Sequence, residues 1–288
     1  MKPWLQLARI SNLPTVWTNV TAAWLLAGGE WADARLYWLI FAGSLLYTGG
    51  MILNDAADVK FDREHRQERP IPAGQVGLGM AWSVGGGFLA AGIVIACLHG
   101  AQVGTTLGLV AAILFYDLYH KPWAGSVLVM GACRALLYLM AASAASSVPG
   151  QPGYAVLMAA LALGSYVVGI TLAARLEHKQ KGVLPLLSSL TALILLIQPG
   201  VLCVTRVVIG GGDEWQYLIL IVFALWVLHA LNTLRRGGPH IGRAVGLLLA
   251  GIAVVDALAV AAVSVPLALA FAALAPLLRL WQRWIAAT

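Results

Sequence analysis

Asn54–Gly74 reads NDAADVKFDREHRQERPIPAG and follows directly on a run of apolar residues. It holds Asp55, Asp58, Asp62, Glu64 and Glu68 from a chain with 12 acidic residues in all. Asn54, Asp58 and Asp62 are spaced i, i+4, i+8, so on a helix they share a face. Like charges at that spacing cost a helix about 0.2–0.5 kcal/mol. A divalent cation removes the cost and supplies a reason for the spacing. Arg63, Arg66 and Arg69 follow and suit a polyanion carried by that cation. Carboxylates, a hard cation and phosphate oxygens together are the usual way Mg²⁺ is held.

The rest of the chain sets this polar stretch in a membrane. Of its 288 residues 60% are hydrophobic and 10% charged, and mean hydropathy is +0.84. An ordinary soluble domain carries about 25% charged residues. Apolar runs of roughly 18 residues or more mark membrane-spanning helices. Such runs lie near Leu13–Gly29, Leu36–Leu53, Leu78–Leu98, Ala101–Tyr116, Trp123–Ser146, Tyr154–Ala174, Leu184–Val208, Trp215–Leu231 and Gly242–Val263. A further apolar piece, Val265–Leu280, contains Pro266 and Pro276 and is either a short final span or a helix lying at the interface. The expected fold is all-α: a polytopic membrane protein of about nine transmembrane helices, possibly with a short tenth. No linker or soluble insertion interrupts it, so residues 1–288 are expected to form one domain.

The net charge of +6 raises nucleic acid as a partner, and its placement argues against one. With the N-terminus in the cytoplasm, the cytoplasmic segments hold Lys2, Arg9, Lys60, Arg63, Arg66, Arg69, Lys121, Arg175, Lys179, Lys181, Arg235, Arg236 and Arg243. The opposite loops hold only Arg35 and Arg206. That is the positive-inside bias of a membrane protein, and a bacterial plasma membrane is the expected location. Lys2 and Arg9 ahead of an apolar run resemble a signal peptide, but Asn12, Pro14 and Asn19 leave no clean cleavage site, so a retained first helix is expected. Cys97, Cys133 and Cys203 show no metal or redox spacing. His65, His120 and His178 read as solvated loop residues. Trp4, Trp31, Trp38, Trp123, Trp215, Trp281 and Trp284 fall at span ends, as an interfacial belt would. Gly85, Gly86, Gly87 and Gly92 read as helix contact points.

A second polar stretch, Arg175–Gly182, lies four spans after the first and on the same expected face. Laying ILNDAADVKFD (Ile52–Asp62) over TLAARLEHKQK (Thr171–Lys181) puts Glu177 opposite Asp58 and Lys181 opposite Asp62. This faint repeat suggests two polar loops converging on one cavity. Inside spans lie Arg134 and Asp256, each costing at least about 2.5–3.5 kcal/mol in a bilayer without a cavity or partner. Arg134 can reach the cytoplasmic cavity, whereas Asp256 has no obvious partner and reads as a packing residue. Asp117 reads as a helix-end residue, and Lys121 beside it is the better phosphate candidate.

Three segments together carry a resemblance: LARISNLPTVWTNVTAAWLLAG at the start, the Asn-xxx-Asp-xxx-Asp run followed by Arg-Pro, and FYDLYHK after span four. They resemble the UbiA superfamily of intramembrane prenyltransferases, in order along most of the chain and more weakly after Gly182. The resemblance implies nine helices around a central cavity and Mg²⁺-dependent transfer of an isoprenyl chain from its diphosphate to an aromatic or other lipophilic acceptor. It implies that Asn54, Asp58 and Asp62 hold Mg²⁺ and diphosphate, and that Arg9, Arg66, Arg69, Lys121 and Arg134 contact the phosphates. The departure is at the second acidic motif, where the family usually carries a further aspartate pair. This chain has Arg175, Glu177 and Lys179 instead, closest to a branch with Arg-x-Glu there. Arg175 is then expected to face the diphosphate, with Glu177 ordering it or assisting one metal. Two other readings fit the residues: a prenyl-lipid binder or carrier without turnover, and a secondary transporter.

Overall fold

The structure is a computed structural model. It describes residues 2–285 except 120–122, 124, 146–152, 176–182, 211–213 and 239, with backbone alone at 183–189 and 205–210. The described residues form helices α1 (Lys2–Leu7), α2 (Leu13–Leu26), α3 (Ala34–Ala57), α4 (Val59–His65), α5 (Leu78–Leu98), α6 (Val103–Tyr119) and α7 (Ser126–Ala145). They continue with α8 (Tyr154–Arg175), α9 (Val183–Gly210), α10 (Glu214–Arg235), α11 (His240–Ala250), α12 (Ile252–Val260) and α13 (Val265–Trp281), and a single 3₁₀ turn, Ile10–Asn12, joins α1 to α2.

Among the described residues six stretches are long and apolar enough to cross a membrane: α3, α5, α7, α8, α10 and the pair α11–α12 taken together. Shorter apolar helices stand beside them, α6 and α13 included. This is an all-helical integral membrane protein. The α11–α12 stretch is 83% buried and forms the centre of the bundle, whereas α5 and α10 are 28% and 22% buried and form its outer wall. Apolar side chains left outside, such as Leu98, Leu225 and Leu228, then face lipid rather than water.

Glycines let two helix pairs close. A Cβ on Gly85 would stand 2.7 Å from Leu53, and one on Gly92 would stand 2.7 Å from Leu46, so α5 lies flush on α3. A Cβ on Gly131 would come within 2.6 Å of the Gly164 carbonyl oxygen, which brings α7 onto α8 backbone to backbone. Gly86 and Gly87, expected as contact points too, face open space on the outer side of α5.

The central span breaks at Gly251, where α11 passes into α12. Trp226 Nε1 donates to the Leu247 carbonyl (2.8 Å) and the Tyr166 hydroxyl donates to that of Leu248 (3.1 Å). The Leu247 carbonyl also accepts from Gly251 N (2.9 Å), so Trp226 adds a second bond there, while the Tyr166 hydroxyl serves a carbonyl at the break between the two helices. The last apolar piece is a 17-residue helix, α13, whose start is capped by Ser264. Its buried residues Ala268, Phe271, Ala275 and Leu278 form one stripe along it. Pro276 sits inside α13 without ending it.

The start of α2, the ends of α3, α6 and α8 and the start of α7 all come to one end of the bundle. A small separate cluster holds that end together: Leu7, Ile52, Ala56, Val59, Ile71, Val76 and Ala81. Trp4 packs on this cluster and Trp281 on another small one, so neither belongs to an outer belt. Trp31, Trp38, Trp123, Trp215 and Trp284 are exposed, as a belt requires.

Candidate active site

The acidic stretch keeps its helical register across a joint. Asp58 stands between α3 and α4, yet its N–H donates to Asn54 O (3.0 Å) and its carbonyl accepts from Asp62 N (2.9 Å). Asn54, Asp58 and Asp62 are all buried, with Asp62 only 1% exposed. For Asp55 and Asp62 the ion-pair partners among the described residues are not Lys60, Arg63 and Arg66. Arg69 Nη1 bridges Asp62 Oδ2 (2.9 Å) and Asp55 Oδ1 (3.1 Å), and Arg9 Nη2 reaches the same Asp55 oxygen at 3.3 Å. Arg66 is half-buried and has no ion-pair partner among the described residues.

Local structure explains how two distant arginines arrive there. The loop Arg66–Gly77 folds back over α3 because Ile71 and Val76 bury in the small cluster, with Val76 N and Gln75 N donating to the Pro70 carbonyl. Arg9 follows the buried Leu7 and takes φ +42°, the one non-glycine residue in the left-handed region among those described. That backbone costs a non-glycine residue of order 1–2 kcal/mol. It turns the chain from α1 into α2 and aims the guanidinium at Asp55. Burial works against the Arg9 charge, but Asp55, Tyr47 and Tyr116 oppose it and hold the guanidinium above its ordinary pKa. Burial likewise pushes Asp62 above the ordinary carboxylate value, against the pull of Arg69.

Below this ion-pair layer lies a cavity of about 210 Å³ walled by the turn before α2, by α3, α6, α7, α8 and α11, and by Ile252 at the start of α12. Arg9, Asn12, Tyr47, Tyr116, Asp117, Arg134 and Thr171 supply its polar wall, and the remainder is mostly apolar. Asp117 is buried and is no mere helix end: its Oδ1 accepts from Asn54 Nδ2 at 3.1 Å, tying α6 to the acidic stretch. Arg134 does reach the cavity wall, where its Nη1 donates to Asn19 Oδ1 (2.8 Å) and its guanidinium lies 5.4 Å from the Tyr47 ring centre. Asn19 and Thr18 in turn donate to Asp256 Oδ2, at 2.7 and 2.6 Å. The buried acid thus has partners on α2 that sequence distance concealed. Arg175, at the end of α8, donates to Ser126 Oγ (2.7 Å) and acts electrostatically on Tyr116, as Arg9 and Asp58 do. Lys121 and Glu177 lie outside the described residues.

Sequence reasoning assigned no role at the site to Asp55, Tyr47 or Asn19, and read Asp117 as a helix-end residue. Only Asp117 carried a signal, a carboxylate at the end of an otherwise apolar helix. Whether this end suits a hard cation turns on its oxygens. Asp62 Oδ1 and Asp117 Oδ2 are buried and accept no hydrogen bond from a described residue. Among the described residues no three His, Cys, Asp or Glu side chains stand close enough to cage a metal. That combination fits Mg²⁺, which takes one or two carboxylates and completes its shell with water and phosphate oxygens. Asn54, Asp58 and Asp62 are the residues that would hold it.

Residues 15–240 match the model of the UbiA prenyltransferase family. The chain belongs to that family. The matched stretch contains the residues of the polar end except Arg9 and Asn12, and Asp256 lies beyond it. A digeranylgeranylglyceryl phosphate synthase of Metallosphaera sedula is 30% identical over 143 residues, 48% of this chain and 50% of that protein. A 4-hydroxybenzoate octaprenyltransferase of Cupriavidus metallidurans is 37% identical over 70 residues, 23% of this chain and 24% of that protein. The chain thus spans half or less of the length of these relatives. Among solved structures, the apo UbiA homologue of Aeropyrum pernix matches with a TM-score of 0.71 at 18% identity, covering 85% of this chain and 95% of that one. A digeranylgeranylglyceryl phosphate synthase structure matches with a TM-score of 0.65 at 19% identity, covering 95% of this chain and 98% of that one. At these identities the likeness is one of fold.

Proposed function

We propose that this UbiA-family protein is an intramembrane prenyltransferase, built as about nine spans around the polar cavity. It takes a prenyl diphosphate and transfers the isoprenyl group to a lipophilic acceptor in the membrane. The observation that carries the reading is the meeting of Asp58, Asp62, Arg9, Arg69 and Arg175 at one end of a cavity whose deeper wall is apolar.

In the reaction the allylic C–O bond breaks and diphosphate leaves with the electron pair. The acceptor then bonds to the allylic carbon and loses a proton. Negative charge grows on the leaving group as the bond breaks, so groups aimed at it stabilise the transition state more than the ground state. Mg²⁺ supplies the largest such charge when bound at Asn54, Asp58 and Asp62. Arg9, paired with Asp55, and Arg69, paired with Asp55 and Asp62, would be shared with the diphosphate once it arrives. Arg66 and Lys121 serve the outer phosphate. Arg175 replaces part of the charge that a second metal would bring, with Glu177 ordering it. The apolar wall around Leu46, Ile113 and Ile170 keeps water from the allylic cation. Arg134, neutralised through Asn19 and Asp256, shapes the inner end of the cavity.

Incubation of purified protein with labelled prenyl diphosphates of several lengths, Mg²⁺ and a membrane lipid extract tests this reading. Label should pass to an extract component with release of diphosphate. Binding without transfer would make the protein a prenyl-lipid carrier instead.

A further inference from the structure

From Trp215 onward the chain carries Arg235, Arg236, Arg243, Arg279 and Arg283 against a single acidic side chain, Asp256. Asp256 is buried in α12 and bonded to Thr18 and Asn19. None of the five arginines has an ion-pair partner among the described residues. Three of them meet where the end of α13 lies on the start of α11. Arg279 folds onto α11: a Cβ on Gly246 would stand 2.9 Å from Arg279 Nη1 and 2.8 Å from Gln282 Oε1. Gln282 Oε1 accepts from that same nitrogen at 3.0 Å and holds the guanidinium there. Arg243 precedes Gly246 by three residues on α11, and Arg283 follows Arg279 by four on a turn that continues α13. Each therefore stands about one helical turn from the Arg279 guanidinium, and both charges act on it. Arg243 and Arg283 are exposed and Arg279 is half-buried. Leu277, Leu280 and Trp284, beside them in the chain, are exposed too, which puts the cluster where hydrocarbon gives way to headgroups.

The positive-inside bias accounts for arginines on this face. It does not account for three guanidiniums drawn together from two helices, one of them held by a glutamine. Like charges so placed repel, and a shared anion turns that repulsion into binding. We propose that Arg243, Arg279 and Arg283 form a binding site for the phosphate of an anionic membrane phospholipid. Guanidinium forks match phosphate oxygens, and the exposed apolar side of α13 past Leu277 offers the acyl chains a wall. Phosphatidylcholine carries the same phosphate beside a fixed positive charge that three arginines repel. The site shares no residue with the cavity of the proposed transfer, although Val245, next to Gly246, lines that cavity.

The test is equilibrium binding of radiolabelled phosphatidylglycerol to the full chain in a neutral detergent at physiological salt. Unlabelled phosphatidylglycerol should compete at least about tenfold better than phosphatidylcholine with the same acyl chains. Arg279→Gln should weaken binding about tenfold, the order of one charge-assisted hydrogen bond. Gly246→Ala keeps every charge but pushes the flexible ends of Arg279 and Gln282 off α11, and should weaken binding about threefold or more. Arg283→Gln gives a matching loss at an exposed side chain where packing is not at stake. Arg235 and Arg236, exposed on the same expected face, are not among the charges acting on Arg279. Changing both to Gln should alter binding by about twofold or less, since salt screens exposed charges at a distance. Size exclusion checks that each variant stays monodisperse. Equal competition by the two lipids overturns the proposal, as does an equal loss in the Arg235, Arg236 double variant, which would mean diffuse surface charge. Unchanged binding in both Gly246→Ala and Arg283→Gln overturns it as well. Millimolar inorganic phosphate should displace no more lipid than chloride of equal ionic strength, and greater displacement would assign the site to free phosphate instead.

Discussion

Arg69 is the hinge of the charged layer at the level of single residues. One nitrogen serves both Asp55 and Asp62, so Arg69→Ala leaves two buried carboxylates facing one another with Arg9 alone nearby. A cost of about 2 kcal/mol is expected, below the full value for a buried pair because the Arg69 side chain is 17% exposed. Thermal melting in detergent should show a Tm several degrees lower, with Arg69→Lys recovering part of the loss. Arg175 poses a different question, since it marks the departure from the family's usual aspartates. Arg175→Ala should weaken prenyl diphosphate binding about tenfold or more, the order expected for a charge-assisted hydrogen bond, whereas Glu177→Gln should cost less. If titration shows Glu177→Gln to be the more damaging change while Arg175→Ala is silent, Glu177 is itself a metal ligand.

Helix pairing rests on where backbones must touch. Gly131→Val forces a side chain against the Gly164 carbonyl and Val168, so overpacking of at least about 1–3 kcal/mol is expected. Gly86→Val, into open space on the lipid side of α5, should be nearly neutral. Detergent stability of the two variants checks both. The contrast also shows what can be read from a sequence. Apolar runs located the helices because length and hydropathy suffice for that, and the acidic register survived because hydrogen bonds carry it through Asp58. Which glycines of Gly85, Gly86, Gly87 and Gly92 face a neighbour depends on helix rotation, and a helix apolar all round encodes none. The break at Gly251 was equally hidden, since its supports, Tyr166 and Trp226, come from other helices. At the site, the aspartates were legible by spacing. The pairing of Arg9 with Asp55 and of Asn54 with Asp117 joins residues 46 and 63 positions apart and leaves no local pattern.

For the whole molecule, the charge bias and the bundle geometry make one joint statement. The acidic stretch, Arg9 and Arg175 share an end, and that end is expected to be cytoplasmic. Cysteines placed at the exposed Gln75 and Arg236 should react with a membrane-impermeant maleimide from the cytoplasmic side only, and one at Glu30 from the opposite side only. The most direct test of the account is equilibrium binding of a non-reactive prenyl diphosphate analogue to the full chain, with Mg²⁺ and with chelator, for the wild type, Asp58→Ala and Asp62→Ala. The account predicts tight binding that requires Mg²⁺ in the wild type and is lost in both variants, which remain folded in the membrane. Binding that persists in both variants, or that ignores Mg²⁺ throughout, would contradict it.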